Sequence, residues 1–518
     1  MLLAMAMLAT WLPHYLTWPW WPDLDAWATI ARGWDAGIKP YRDVVIFNFP
    51  GHIYLAWILG KLFGWGRTGP FYAVDAAMLV GLGPLLAIWS RRRFGRALAG
   101  WIGWIAVLSI YLNLDYALVA QRDWHAPLLA VMALLVLQRW PGWVGTVVSS
   151  SLMALGFTIR PHVVLFLPAI ALVFVCDRVA DESWWFTIRR ALAWGLAFAG
   201  FVAMAFAPLV VQGLIGDFIG GVRQASYGRG YGQTSGGSII EGVIRQLGLL
   251  EPAKGFVSPA AFPGYLAGWK VLGTIAGLTA LVAVAPPEHR RLVLPWILAL
   301  ILAILYEPLH PKRHAYLALP LRLVWAVNWG VLAGLVQARF ADRPRLWPAS
   351  FVLLLLVAVP GLPTFCRPGD ALDALHGREP IRVPATAERH FFPGDPNTTY
   401  RWDDYRRALA YLKRNTRPET PVANALRNVP FPAFNGVLGR VSPFPAESGV
   451  IWLWSVNPQL EGSFISSLEQ SPRDTVVVWS PEEAAFDPRL RLPDLRSAIH
   501  RLFRPEARFG AIEVWRKK

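Results

Sequence analysis

About eleven stretches of this chain are apolar for long enough to approach the roughly 20 residues that an α-helix needs to cross the hydrocarbon core of a bilayer. A segment in hydrocarbon must satisfy its own backbone hydrogen bonds, so such runs are helices, and a chain dominated by them folds as a mainly α, polytopic membrane protein. The runs centre on Met5, Met78, Ala106, Met132, Val148, Ala169, Phe201, Thr279, Leu302, Val327 and Leu355. Those at Ala126–Gln138 and Val163–Cys176 are shorter than a usual span, which leaves the number open by about two either way. Composition agrees, because 55% of the 518 residues are hydrophobic, 16% are charged and 27 are Trp, a balance foreign to an ordinary soluble enzyme. The opening Met1–Met7 has no basic residue, so it reads as a retained first helix and not as a cleaved signal peptide. A misassigned start codon would give the same pattern.

Basic residues set the orientation. Arg91, Arg92, Arg93 and Arg96 mark the loop after the second run as cytoplasmic. Arg178, Arg189 and Arg190, then Arg290 and Arg291, then Arg339, Arg343 and Arg345 fall in alternate loops. The opposite loops also hold cations, among them Lys39, Arg42, Arg122, Arg160, Arg223, Arg229, Lys312 and Arg313. These either serve an anionic substrate or snorkel to the interface. The net charge of +16 is spread over loops and tail without a basic stripe, which excludes nucleic acid as a partner.

Beyond about residue 365 prolines and charges replace the apolar runs. The expected division is a transmembrane part, 1–364, and a small soluble α/β domain, 365–518, on the outer side. In the latter Tyr400–Asn415 and Leu495–Phe503 have helical periodicity, while Thr475–Trp479 and Phe509–Trp515 read as strands. Cys176 ends a run at the cytoplasmic side and Cys366 lies beyond the last run, so the two are expected on opposite faces and unpaired. Asn397-Thr-Thr is a glycosylation sequon only in a eukaryotic secretory host.

Chemistry is expected first in the outer loop 19–69, which holds Asp23-Leu-Asp25-Ala-Trp27-Ala-Thr-Ile-Ala-Arg32. A carboxylate at a membrane edge is costly unless it faces water, a partner or a substrate. Asp before an apolar helical run is also a favoured N-cap, and one Asp can fill both roles. The acid pair opens an amphipathic helix, Gly37–Tyr41 turns the chain, and Ile53–Phe63 forms a second helix ending at Gly64. This order resembles the first extracytoplasmic loop of the GT-C glycosyltransferases, which include protein O-mannosyltransferases and the aminoarabinose transferases that modify lipid A. The resemblance places Asp23 on the family's leading acid, a general base or positioning group at the acceptor, with Asp25 one step out of register with the usual second acid. Asn48-Phe-Pro50-Gly51-His52 stands where the family has Lys-Pro-Pro, which makes Asn48 a candidate substrate contact. The resemblance also implies a second acid in the next outer loop, and Asp123 in Gln121-Arg122-Asp123-Trp124-His125 matches it. Arg122 and Asp123 are equally readable as a self-contained ion pair.

A third cluster, Glu307-Pro-Leu-His310-Pro-Lys312-Arg313-His314, puts several cations at a membrane edge and suits a lipid-linked phosphate, whose charge needs several donors. Arg160 lies at another outer edge and is expected to join it. His310 and His314 are four apart, as two metal ligands on a helix would be, but Pro311 intervenes and no third ligand is evident. No cofactor is implied, and a divalent metal stays open. The Gly-rich Tyr227–Ser238 lacks the Lys-Ser/Thr of a phosphate loop and no strand precedes it, so it reads as part of a flexible outer loop, 212–265.

No dinucleotide-binding fingerprint is present, so a donor used at the outer face is expected to be a polyprenyl-phosphate-linked sugar. The resemblance then implies an inverting membrane glycosyltransferase, expected in a bacterial inner membrane with its C-terminal domain outside. Its acceptor is a lipid, glycan or protein. A polyprenyl-linked sugar transporter or flippase would share the cations without needing the acids. It should also show internal repeats, and none is evident. A purely structural membrane subunit would leave the clustered acids and cations unexplained.

Overall fold

The computed structural model describes residues 1–18, 20, 22–44, 46, 48–114, 118–177, 183–227, 239–246, 268–284, 287–309, 315–340, 368–376, 402–426, 434–444, 459–481 and 493–518. The apolar runs are helices: α1 (Leu2–Tyr15), α4 (Gly69–Phe94), α5 (Leu98–Tyr111), α6 (Arg122–Arg139), α7 (Trp143–Ile159), α8 (Leu167–Cys176), α9 (Trp184–Val211), α12 (Gly268–Val284), α13 (Pro287–Tyr306) and α14 (Leu319–Arg339). Each expected centre from Met5 to Val327 falls inside one of them, and the run at Leu355 lies outside the described residues. Among the described residues four segments, Gly69–Phe94, Trp184–Val211, His289–Tyr306 and Tyr316–Arg339, are by themselves long and apolar enough to cross a membrane. The short run at Val163–Cys176 begins as a 3₁₀ turn, Pro161–Phe166, before α8. Pro161 supplies a fixed φ and no donor at that start.

The helices run alternately, which sorts their ends into two groups. At one end Arg93 pairs with Asp177 at 3.0 Å. There too Gln138 Oε1 accepts the indole N–H groups of Trp89 and Trp296, both at 2.9 Å. This is the arginine-rich end of the bundle, expected from the loop charges to be the cytoplasmic one. In the middle α5 and α14 approach so closely that a Cβ on Gly103 would stand 3.2 Å from Gly330 Cα. Between spans packing is the main attraction, and small residues permit this approach.

The first outer loop forms α2 (Pro22–Asp35) and α3 (Gly51–Phe63), packed on each other. Its turn contains Gly37 at φ 95° and Tyr41 at φ 69°. The loop expected over 212–265 is not uniformly irregular, since it contains α10 (Ile215–Tyr227) and α11 (Ile239–Gln246). Arg42 holds α10 to the first loop, its Nε 2.9 Å from Asp217 Oδ2. The Gly-rich residues 228–238 lie outside the described residues.

After α15 (Pro368–Leu375), which packs on α1, come α16 (Trp402–Asn415), β1 (Val422–Asn424), α17 (Asn435–Leu438), α18 (Gln459–Gln470), β2 (Val476–Trp479) and α19 (Pro493–Leu502). The chain ends with β3 (Phe503–Phe509) and β4 (Ile512–Lys517). The sheet order is β1-β2-β4-β3, parallel between β1 and β2 and antiparallel elsewhere, with Val477 opposite Ala423 and Trp515. Where the sequence suggested one closing strand from Phe509, there is a hairpin with Gly510 at φ 56° in its turn. β3 escapes pattern reading because its exposed edge sequence Phe-Arg-Pro-Glu-Ala-Arg-Phe carries charge and a proline, as edge strands do. β2 is buried along its whole length and reads as an unbroken Val-Val-Val-Trp.

Candidate active site

The other group of helix ends gathers the charged residues. Asp123 is fully buried in the first turn of α6, and its Oδ1 lies 2.9 Å from Nε of Arg160, the residue that ends α7. Tyr306, the last residue of α13, donates its hydroxyl to the same oxygen at 3.1 Å. Asp123 Oδ2 has no hydrogen-bond partner among the described residues. Arg122 is also buried, and its guanidinium donates to the Asn48 side-chain oxygen while lying over the Trp27 ring, 5.3 Å from the centroid. Tyr41 fixes Asn48 from behind by donating its hydroxyl to the Asn48 carbonyl at 2.8 Å.

Glycine lets the first loop reach this cluster. A Cβ on Gly51 would stand 2.8 Å from the backbone of Thr158 and Ile159, so only glycine lets the start of α3 lie against the end of α7 beside Arg160. The Asn48–His52 segment, which departs from the family pattern, is thus wedged between the two arginines' elements. The neighbouring-residue ion pair considered from the sequence does not form. Asp123 pairs across helices with Arg160, and Arg122 turns to Asn48 and Trp27.

The two first-loop acids separate. Asp23 is half-buried in the first turn of α2, one turn before Trp27, within electrostatic reach of Arg122 and of Tyr316. Asp25 is buried and faces residues 434–437 near the C-terminal sheet, where its Oδ1 accepts the Val437 N–H at 2.7 Å and its Oδ2 the Phe434 N–H at 3.3 Å. The carboxylate therefore caps α17 and joins two segments some four hundred residues apart in sequence. Both oxygens of Asp25 are thus engaged by backbone amides, whereas no such contact to residues 434–437 is made by Asp23 among the described residues. Burial pushes the Asp25 carboxyl up to about 7, opposed by the amide hydrogen bonds.

This docking has its own test. A Cβ on Gly436 would stand 2.5 Å from the Asp25 carbonyl oxygen and 2.6 Å from its Oδ1. Gly436→Ala should loosen this contact by about 1–3 kcal/mol, the usual range for overpacking, and speed proteolysis within residues 434–444. Because the folded carboxyl is raised, its contribution to docking is full below the unfolded value of 3.8 and is lost as pH rises through about 7. Asp25→Asn does not titrate, so it should remove this slope from a thermal-stability profile across that window; an unchanged slope would place its origin elsewhere.

His310, Lys312, Arg313 and His314 lie outside the described residues. Among the described residues no group of three or more His, Cys, Asp or Glu forms a metal cluster. Sequence reasoning missed Tyr306 and Tyr316. It also missed the fully buried Asp75, although a lone carboxylate in the apolar run of α4 is a visible signal.

No family model matches the chain, and no curated protein matches it by sequence. Solved structures do. The chain is similar to the crystal structure of ArnT from Cupriavidus metallidurans bound to undecaprenyl phosphate, with 14% identity, a TM-score of 0.59 and coverage of 99% of this chain and 96% of that one. It is similar also to the apo structure of the same protein, with 15% identity, a TM-score of 0.57 and the same coverage. The likeness noted in the first outer loop thus extends from end to end. The chain has the fold of ArnT, and among its described residues four helices are long and apolar enough to cross a membrane.

Proposed function

We propose that this protein is a membrane glycosyltransferase that moves a sugar from a polyprenyl-phosphate-linked donor to an acceptor at the extracytoplasmic face. The observation that carries the reading is the cluster of buried Arg122, Asp123 and Arg160 with half-buried Asp23 and Asn48, assembled from α2, the segment before α3, α6 and the end of α7. Burying charge at a membrane edge is costly, and a cluster of this kind is most economically explained by an anionic ligand and a proton to be moved.

The roles divide by pairing. Arg160 is paired with Asp123, whose same oxygen also accepts from Tyr306. Arg122 makes no ion pair within 4.0 Å among the described residues and is held by a neutral amide, so its charge is available for the donor phosphate. Lys312 and Arg313 are proposed as further phosphate contacts, with His310 and His314 beside them. As the sugar carbon is attacked from the face opposite the phosphate, the bond to phosphate breaks with its electron pair leaving to that group. Asp23 takes the proton from the incoming hydroxyl or amine. The C-terminal domain, docked through Asp25, holds α2 and hence Asp23. The relative crystallised with undecaprenyl phosphate supports a polyprenyl phosphate as the lipid product.

Binding of undecaprenyl phosphate to the purified full chain tests the reading. Arg122→Ala should weaken it about tenfold or more, as loss of a charge-assisted contact does. Wild-type affinity in this variant would return Arg122 to a packing role. Mass spectrometry of the lipid that copurifies with the protein would identify the donor class directly.

A further inference from the structure

Asp75 is fully buried in α4, and the proposed reaction does not use it. Tyr15 of α1 and Tyr111 of α5 each donate a hydroxyl to its Oδ2 at 2.6 Å. Its Oδ1 lies 2.7 Å from His125 Nε2, and His125 Nδ1 lies 2.9 Å from His52 Nε2 in α3. One carboxylate thereby ties four elements. Tyr111 also accepts the N–H of Ala120 at 2.8 Å, which holds Ala120 at φ 54°, a left-handed conformation that residues with a Cβ avoid.

The carboxylate dictates the protons. It can only accept, so His125 Nε2 carries hydrogen. In neutral His125 the other nitrogen then accepts from His52 Nε2–H, and His52 Nδ1 is left bare. That atom is buried without a hydrogen-bond partner among the described residues. The His52 ring packs against Trp27 at 4.3 Å, the same indole that lies against Arg122.

Ala120 and His125 bracket Arg122 and Asp123, and both are held from Asp75. We propose that Asp75 is the positioning residue of the outer cluster. It fixes the 120–125 segment through Tyr111 on one side and through the tautomer of His125 on the other, so that Arg122 and Asp123 meet the substrate. The proposal rests on the reading of Arg122 as a phosphate cation.

The test is undecaprenyl phosphate affinity of the full chain, with ¹⁵N spectra of histidine-labelled protein. In Asp75→Asn a single acceptor oxygen replaces two where three donors converge, and the new amide N–H₂ cannot accept from His125. The His125 proton should move to Nδ1, and affinity should fall about 10- to 100-fold, as when a supporting group lets a site shift by an ångström. Tyr111→Phe removes only the hydroxyl that steadies Ala120; it should weaken binding while leaving the His125 tautomer unchanged. Wild-type affinity in both variants while Arg122→Ala binds weakly overturns the proposal. Wild-type affinity in all three overturns instead the reading of Arg122. Should Asp75→Asn not fold, Tyr111→Phe decides alone.

Discussion

Asp123→Ala should destabilise the protein by about 3–5 kcal/mol, the typical result of removing one partner from a buried ion pair. The side chains of Asp123 and Arg160 are 1% and 10% exposed, so the guanidinium left behind would have little water to replace the carboxylate. Tyr306 would lose its acceptor in the same stroke. The loss arises from the orphaned charge and not from a large net value of the pair, since replacing both members with apolar groups is often neutral or stabilising. The double variant Asp123→Ala/Arg160→Met should therefore recover most of the stability without recovering function. Unfolding followed in detergent for the two single variants and the double one gives the coupling. A single-variant loss under about 1 kcal/mol would mean that water or a neighbouring group compensates Arg160.

Much of the architecture was legible because hydrophobic run length is a one-dimensional signal. A helix in lipid needs no distant partner to be recognised, and the centres from Met5 to Val327 are all helical. The first-loop order of helix, turn and helix was legible for a similar reason, with Gly37 and Gly64 punctuating it at positive φ. The site was legible by residue but not by pairing. Arg122 and Asp123 are adjacent in sequence, and adjacency suggested a pair, yet side chains one residue apart on a helix project in different directions. Their real partners, Asn48 and Arg160, come from α3's approach and α7's end. The partners of Asp25, the amides of Phe434 and Val437, were equally hidden, since they stand some four hundred residues further along the chain. The β3 edge strand failed because charge and proline hide an edge from any alternation rule.

Asp23→Asn should remove most sugar transfer, by about 10²- to 10⁴-fold, the usual worth of a positioned general base. Asp23 stands inside the first turn of α2, one residue past Pro22, where Asn keeps the size and loses only the charge, so a merely structural Asp23 would lose about 0.3–1 kcal/mol of stability and keep its transfer rate. Expression, thermal stability and undecaprenyl phosphate affinity should stay near wild type, since Asp23 acts on the acceptor and not on the donor phosphate. Asp25→Asn supplies the contrast from the same helix turn. It should weaken domain docking, with the loss in transfer tracking the loss of docked protein, whereas the Asp23→Asn deficit should persist in fully docked, fully stable protein. The separation follows from geometry: Asp25 has both oxygens on the backbone amides of Phe434 and Val437, and Asp23 lies on the side of Arg122 and Tyr316. Wild-type transfer by Asp23→Asn would sink its assignment as base and leave the buried cluster as a lipid-phosphate site alone, the arrangement a flippase would need.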